Sequence, residues 1–373
     1  MHNYDITDNY NYLKSSNVNP IKMIKILVTG GAGFIGSHTC ISLLSKGYEI
    51  VIVDSFINSK KLAIDRIKKI CALEKIDFKN RIFLYQSDLR DIKSLENIFL
   101  DASKTNNPIK GVIHFAGLKS VEESINNPIF YWDSNVNSSI NLLKTMEKFS
   151  CNKLVFSSSA SIYGITNKDL IDENSLIKPI NPYGNSKYTI EIMLNDLFKS
   201  YSREFSVAKL RYFNPIGAHP SGLIGEDPLG QPNNIFPIIL NKAYSKKENL
   251  KVFGNNWPTY DGTGVRDYIH VMDLAEGHTK TLEHLFLVES SNLTLNLGTG
   301  KGTSVLELID IFEKSNNVKV PFEISKRRKG DTPKVVADNK LALKILNWEP
   351  SRTLENMCRD GWNWKLLNPN GYK

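Results

Sequence analysis

A tyrosine and a lysine four positions apart, Tyr183 and Lys187, form the pair in this sequence best suited to moving a proton. One turn of helix would set both side chains on neighbouring positions of one face. A free phenol, with a pKa of about 10, is a poor base at neutral pH, and an adjacent ammonium stabilises its phenolate. The spacing alone is common, and Tyr10 and Lys14 repeat it. The setting separates the two pairs. Asn181-Pro182 supplies an N-cap and a first-turn proline, and Ile190, Met193, Leu194, Leu197, Phe198 and Tyr201 supply an apolar helical face. Just upstream, Ser157-Ser158-Ser159-Ala160 closes a predicted strand. A hydroxyl there can bond the same substrate oxygen that the tyrosine deprotonates.

A second group of residues suits a dinucleotide. Thr29-Gly30-Gly31-Ala32-Gly33-Phe34-Ile35-Gly36 places glycines at 30, 33 and 36, directly after an apolar run and at the start of a helical pattern. Where side chains are absent, backbone N–H groups and the helix dipole can approach a pyrophosphate. Asp54 ends the next predicted strand, 18 residues after Gly36, where a carboxylate can accept hydrogen bonds from the adenosine ribose. A carboxylate there repels a 2′-phosphate and favours NAD over NADP, although Lys60 and Lys61 lie close by. Asp88, after the third strand, is a candidate partner for the adenine amine or an ordinary turn residue. The glycine-rich piece Gly298-Thr299-Gly300-Lys301-Gly302-Thr303-Ser304 is not a phosphate loop of the Walker type, which needs Ser or Thr directly after Gly-Lys; it reads as a turn between strand and helix.

The elements that must position these residues follow a βαβ rhythm from Met23 onward. Apolar runs at residues 24–28, 50–53, 82–85, 111–115, 154–156 and 206–210 lack polar alternation, the pattern of a parallel sheet buried on both faces. The fold class expected is α/β: a Rossmann-type doubly wound parallel sheet over residues 23–213, with a smaller C-terminal α/β substrate domain over 214–373. Residues 265–271 and 293–297 read as strands that could rejoin the large sheet. Residues 1–22, polar and rich in Asn and Tyr, are expected to be a flexible extension, and Met23 could itself be an initiator. No internal repeat or long low-complexity tract is visible.

With 373 residues, 41% hydrophobic and 23% charged, the chain has an ordinary globular composition. No stretch approaches the roughly 18 to 20 apolar residues of a membrane span, and no signal-like core precedes residue 23, so the expected location is cytoplasmic, with no membrane partner. Cys40, Cys71, Cys151 and Cys358 show no metal-ligand spacing, and no metal is expected. The net charge of +8 is mostly dispersed. Its one tight cluster, Lys326-Arg327-Arg328-Lys329, has no aromatics interleaved as a strand-binding groove would. A phosphate-bearing small molecule is therefore expected, and no nucleic acid.

Glycine turn, strand-end serine and Tyr-x-x-x-Lys in this order mark the short-chain dehydrogenase superfamily, and the second region suggests its extended branch. Thr29-Gly30-Gly31-Ala32-Gly33-Phe34-Ile35-Gly36-Ser37-His38, His114-Phe115-Ala116-Gly117-Leu118-Lys119, Arg211-Tyr212-Phe213-Asn214-Pro215-Ile216-Gly217-Ala218-His219-Pro220 and Asp261-Gly262-Thr263-Gly264-Val265-Arg266-Asp267-Tyr268-Ile269-His270-Val271 resemble the signature segments of the UDP-glucose 4-epimerase family. The likeness runs from Met23 to about Trp364. It implies reversible C4 epimerisation of UDP-glucose and UDP-galactose through a 4-keto intermediate, with NAD tightly bound and not consumed. It implies that Tyr183 is base and acid, that Lys187 lowers its pKa and holds the nicotinamide ribose, and that Ser159 bonds the reacting oxygen. The cofactor set it implies is Gly30, Gly33, Phe34, Ile35, Gly36, Asp54, Asn58, Ser59, Asp88, Leu89, Phe115, Ala116, Gly117, Lys119, Ser134, Tyr183, Lys187 and Phe213. For the UDP-hexose it implies Lys119, Ser159, Tyr183, Asn214, Asn234, Arg266, Arg328 and Asp331, and two arginines suit a diphosphate. The family commonly forms homodimers through helices of the large domain.

Two departures carry information. Ser134 follows Tyr131-Trp132-Asp133 where many members have Asn, which shortens a nicotinamide-side contact. Val335 stands where a bacterial-type tyrosine narrows the sugar pocket, which suggests room for UDP-GlcNAc and UDP-GalNAc. Two rival readings are weaker. A sugar-nucleotide dehydratase usually carries Thr-Asp-Glu where this chain has Ser159-Ala160-Ser161. A catalytically silent, NAD-sensing binding protein could lose Tyr183 or Lys187, and both are present.

Overall fold

The computed structural model describes residues 23–373 apart from 202–204, 231, 233 and 329. The extension expected over residues 1–22, with its Tyr10 and Lys14, lies outside the described residues, as does Lys329 of the basic cluster. The first half runs β1 (Lys25–Thr29), α1 (Phe34–Ser45), β2 (Glu49–Asp54), α2 (Leu62–Leu73), β3 (Ile82–Gln86), α3 (Ile92–Lys104), β4 (Ile109–His114), α4 (Val121–Asn126), α5 (Pro128–Tyr131), a π-helical turn (Trp132–Asn137), α6 (Ser138–Lys148), β5 (Lys153–Ser159), α7 (Pro182–Ser200) and β6 (Ser206–Tyr212). The second half runs β7 (Asn214–Ile216), α8 (Ile235–Ser245), β8 (Leu250–Phe253), β9 (Val265–His270), α9 (Val271–Leu287), β10 (Ser291–Leu297), β11 (Gly302–Ser304), α10 (Val305–Asn316), β12 (Phe322–Ser325), β13 (Lys334–Val335), α11 (Lys340–Leu346) and α12 (Leu354–Leu367).

Seven strands pair in parallel in the order β10-β6-β5-β4-β1-β2-β3. The apolar runs produce this because alternate residues enter two different cores. Ile26, Val28, Ile50 and Ile52 face Leu43, Leu44, Ile64 and Ile67 of α1 and α2. Leu27, Val51 and Val53 face Leu95 and Phe99 of α3, Leu142 and Met146 of α6, and Ile190 and Leu194 of α7. Each such side chain contributes about 1.5–3 kcal/mol when fully buried, so a polar residue on either face would be costly. The strand order reverses between β1 and β4, which opens a crevice beyond their carboxyl ends.

Two elements from the second half complete this layer. β10 pairs with β6 from Ser291 opposite Ser206 to Leu297 opposite Tyr212. α9 lies on α1, where Ser42 and Thr279 share a hydrogen bond of 2.8 Å, and its Leu282 and Leu285 join the first core. The other strand that the sequence allowed into the large sheet stays out of it. β9 is the centre of a small sheet, antiparallel to β11 and parallel to β13 and β7. Its Arg266 and Asp267 need partners, and these lie in and around the small sheet. In the small sheet the Asp267 carboxylate accepts from the backbone N–H groups of Thr299, Gly300 and Ala337 and from the Thr299 hydroxyl. The glycine-rich piece after β10 thus spends its N–H groups on Asp267, in keeping with a turn. A third core, including Phe236, Leu240, Tyr268, Leu308 and Phe312, holds this lobe together.

Candidate active site

α1 begins at Gly33, which offers no side-chain cap, and its first turn carries no acidic residue. A Cβ on Gly36 would stand 2.3 Å from the Gly30 carbonyl oxygen, so only glycine lets the helix start this close to the preceding turn. A Cβ on Gly33 would meet only that same oxygen, at 3.2 Å, among the described residues. Gly33 therefore leaves its space open toward the crevice. Asp54, at the tip of β2, accepts from Ala32 N–H at 2.9 Å, Phe56 N–H at 2.9 Å and the Ser59 hydroxyl at 2.8 Å.

One cleft gathers nearly all of the expected cofactor residues. Gly30, Gly33, Phe34, Ile35, Gly36, Asp54, Asn58, Ser59, Asp88, Leu89, Phe115, Ala116, Gly117, Lys119, Ser134, Tyr183 and Lys187 all line it. Phe213 does not: its ring is buried in a separate cluster with Ile162, Tyr163 and Ile171. Its side chain is drawn there because β6 has ended and the chain turns toward the small sheet, where Asn214 pairs opposite Tyr268. Asp88 is held by Arg90, which also reaches Asp133 at 2.7 Å.

The proton-moving pair sits where β5 and α7 meet. Asn181 caps α7 by accepting from Gly184 N–H at 2.8 Å, and Pro182 occupies the first turn. Tyr183 and Lys187 are both buried. Burial raises the Tyr183 pKa, while a hydrogen bond with Ser159 and the charge of Lys119 pull it down, leaving it above its ordinary 10. Lys119 is thus one positive charge that lowers the phenol's pKa, and it is itself paired with Glu226. Lys187 donates to the Ser157 carbonyl at 2.9 Å and stands 4.9 Å from the Phe156 ring centre, and burial depresses its pKa to about 8. On the α7 face expected to be apolar, Tyr201 is instead exposed and bonded to Glu147.

The residues expected at a nucleotide sugar fall in the second lobe. Arg266 lies in β9 opposite Val335 of β13 and feels the charges of Asp331 and Arg328. Arg328 pairs with Asp331 at 3.1 Å and stacks 4.6 Å from the Phe253 ring centre, and Arg327 stacks 3.9 Å from that of Trp257. The aromatics absent from the basic run in sequence are therefore supplied in space. Asn234 connects this lobe to the cleft, donating to Glu226 at 3.1 Å, and Glu226 in turn pairs with Lys119 at 2.9 Å.

Residues 27–361 match the model of the family described as GDP-mannose 4,6 dehydratase. The UDP-glucose 4-epimerase of Bacillus subtilis (strain 168) is 48% identical over 93% of this chain and 98% of its own length. UDP-glucose 4-epimerase 2 of Arabidopsis thaliana is 47% identical over 93% and 96%. The chain belongs to the UDP-glucose 4-epimerase family. A crystal structure of the family from Stenotrophomonas maltophila, with bound NAD and formylated UDP-arabinopyranose, superposes with a TM-score of 0.87 at 43% identity over 93% of this chain and 99% of that one. Another from Bifidobacterium longum, in complex with NAD+ and UDP, gives 0.85 at 42% over 93% and 99%. The dehydratase name covers a broader group; Ser159-Ala160-Ser161 and the identity to epimerases put this chain on the epimerase branch.

Several residues in or beside the cleft escape a reading by sequence. Asn135, in the π-helical turn beside Ser134, is buried; it accepts from Leu118 N–H at 2.7 Å and donates to the Leu118 carbonyl and the Ser186 hydroxyl. A π-turn often marks a functional site, but its register has no sequence signal. Arg90, Tyr212, Glu226, Asp227 and Tyr372 line the cleft itself. Tyr212 hydrogen-bonds Ser157, so it braces the carbonyl-bearing residue that holds Lys187. The Arg211-Tyr212-Phe213-Asn214 segment flagged Tyr212 as a motif member; Asp227 and Tyr372 had no flag, since only the fold brings them to the cleft.

Proposed function

We propose that the chain interconverts UDP-glucose and UDP-galactose by inverting C4 through a transient 4-keto sugar, with NAD in the cleft. The observation that carries this reading is that Tyr183 and Lys187 line the same cleft as Gly33 and Asp54. A proton-moving group thus shares one cleft with the residues suited to a dinucleotide. The fit to NAD rests on the space open at Gly33, on the uncapped start of α1, and on Asp54, which suits ribose hydroxyls. NAD, when bound, supplies a cationic ring that accepts the C4 hydride and returns it.

Tyr183 takes the proton from the sugar O4 as the C4 hydride departs and gives it back when hydride returns to the opposite face. Ser159 bonds the same oxygen and steadies the phenolate. Lys187, one helix turn from the phenol, lowers its pKa and holds the nicotinamide ribose, and the charge of Lys119 acts in the same sense. Arg266, Arg328 and Asn234 hold the UDP moiety, Asn214 and Asp331 position it, and the rest of the expected cofactor set that lines the cleft, with Ser134, encloses the dinucleotide.

Val335 is half-buried beside Arg266 and presents a short side chain, which supports acceptance of UDP-GlcNAc and UDP-GalNAc; the absence of detectable conversion of either would remove that extension. A homodimer is supported by Val121, Ile125, Ile129 and Ile192, exposed on the adjoining helices α4, α5 and α7. A reducing, cytoplasmic location is supported by four free, buried cysteines. No helix among the described residues is long and apolar enough to cross a membrane.

The test is to incubate purified protein with UDP-galactose and no added NAD, following UDP-glucose while recording bound nicotinamide. Conversion without added NAD is the expected result. NAD binding with no turnover of any UDP-hexose would favour the silent, NAD-sensing protein over the enzyme.

A further inference from the structure

One wall of the cleft does not come from the large sheet. It comes from residues 225–228, which follow β7 and which, with Leu229, are tied down on both banks. On the β4 bank, the largely buried Glu226 carboxylate accepts from Lys119 at 2.9 Å. On the β2 bank, Asp227 accepts from Lys60 at 2.9 Å, and Leu229 N–H donates to Asn58 at 3.0 Å. Consecutive carboxylates thus grip lysines that follow strands on either side of β1. Tyr372 braces the segment from behind: its N–H donates to Asp227 at 2.9 Å, its carbonyl accepts from Lys60 at 3.3 Å, and its hydroxyl accepts from Gly225 N–H at 3.3 Å.

We propose that residues 225–229 form a strap that retains the dinucleotide, and that Asp227 sets both its rate of escape and the rejection of a 2′-phosphorylated form. The inference rests on the NAD reading above. Lys60 directly follows Ser59, whose hydroxyl is on Asp54, so its ammonium is the cation placed to meet a 2′-phosphate at the ribose edge. Lys61 is exposed and does not line the cleft. Asp227 neutralises Lys60 and adds a second carboxylate to the wall that Asp54 already makes acidic, so a phosphate there meets repulsion and a lysine that is already paired. Escape of a dinucleotide from beneath the strap requires parting Lys60 from Asp227 or Lys119 from Glu226. These pairs reach solvent, so added salt weakens them.

The test uses holoprotein as purified. Release of bound nicotinamide after dilution is timed for wild type, Asp227→Asn, Lys60→Met and, as a charge-matched control remote from the cleft, Asp310→Asn, whose carboxylate pairs with exposed Lys314. Binding of NAD and NADP to stripped protein is measured alongside thermal midpoints. Asp227→Asn should release NAD about tenfold faster, with NADP gaining about tenfold on NAD, a change of ~1.4 kcal/mol in each case. Lys60→Met should also release faster but reject NADP more strongly, since it leaves the Asp227 charge without its cation; this opposite sign carries the test even if Asp227→Asn does not fold. Wild-type release rates in both strap variants, or equal acceleration in Asp310→Asn, would overturn the strap. A wild type that binds no NAD would instead overturn the reading on which it rests.

Discussion

The Tyr183 phenol is buried with its pKa held above 10, and its only proton-transferring atom is the hydroxyl. Tyr183→Phe should lower kcat by about 10²- to 10⁴-fold, the usual worth of a positioned acid–base group, while leaving nicotinamide binding intact. Unchanged turnover would remove Tyr183 from its role. Lys187 makes a second residue-scale test through stability. Its pKa in the folded chain, about 8, lies below its ordinary 10.5 because burial disfavours the ammonium. The folded state then binds fewer protons than the unfolded one between pH 8 and 10.5, so stability rises with pH across that window and the cost is complete below about 8. Lys187→Met removes this cost and loses the bond to the Ser157 carbonyl, so nucleotide-free protein at pH 7 should gain about 2 kcal/mol by urea unfolding while losing activity. At the glycine turn the two outcomes divide: Gly36→Ala should impair folding, and Gly33→Ala should fold but bind NAD poorly, as read by thermal midpoint and nicotinamide titration.

α7 owes its position to a buried network one turn beyond Lys187. Glu191 accepts from the Ser158 hydroxyl at 2.5 Å and from Arg211 through two nitrogens at 3.0 and 2.6 Å, and Arg211 also donates to Tyr163. This joins α7 to β5 and β6, the strands that carry Ser159 and Tyr212. Glu191→Ala would leave the Arg211 guanidinium buried without its carboxylate, and breaking such a pair costs about 3–5 kcal/mol. Urea unfolding should register that loss, and kcat should fall with it because Tyr183 and Lys187 ride on the same helix. A loss below about 1 kcal/mol would mean that the packing of Ile190 and Leu194 alone fixes α7.

Across the whole molecule, the large layer is built from both halves of the chain. A fragment of residues 23–213 would expose the β6 edge that β10 covers and the apolar face of α1 that meets Leu282 and Leu285 of α9. Such a fragment should be expressed as aggregated or partly folded material, detected by its light scattering and its lack of a cooperative thermal transition. The exposed apolar residues of α4, α5 and α7 raise a second expectation at this scale. Ile129→Glu should shift the protein to a smaller species in size-exclusion chromatography with light scattering; a wild type that runs as a monomer would refute the proposed homodimer.

The sequence by itself determined the elements whose signals are local. Continuous apolar runs specify strands that only a doubly covered parallel sheet can bury, Gly30 to Gly36 specify a close strand-to-helix turn, and Asn181-Pro182 specifies the start of the helix bearing Tyr183 and Lys187. The tertiary structure decided what depends on distant partners. It took β10 into the large sheet and kept β9 out, because β9 carries Arg266 and Asp267, whose donors and acceptors lie in the loops after β10 and around β13. It brought Lys119, 64 positions away in sequence, to add its charge near the phenol, and gave Lys187 the Ser157 carbonyl as a partner. It also brought Asp227 and Tyr372 to Lys60, ion-pair and hydrogen-bond partners 167 and 312 positions away in sequence. A charge has no preferred partner until the fold sets distance and solvent access, so these pairings could not be read from the chain alone.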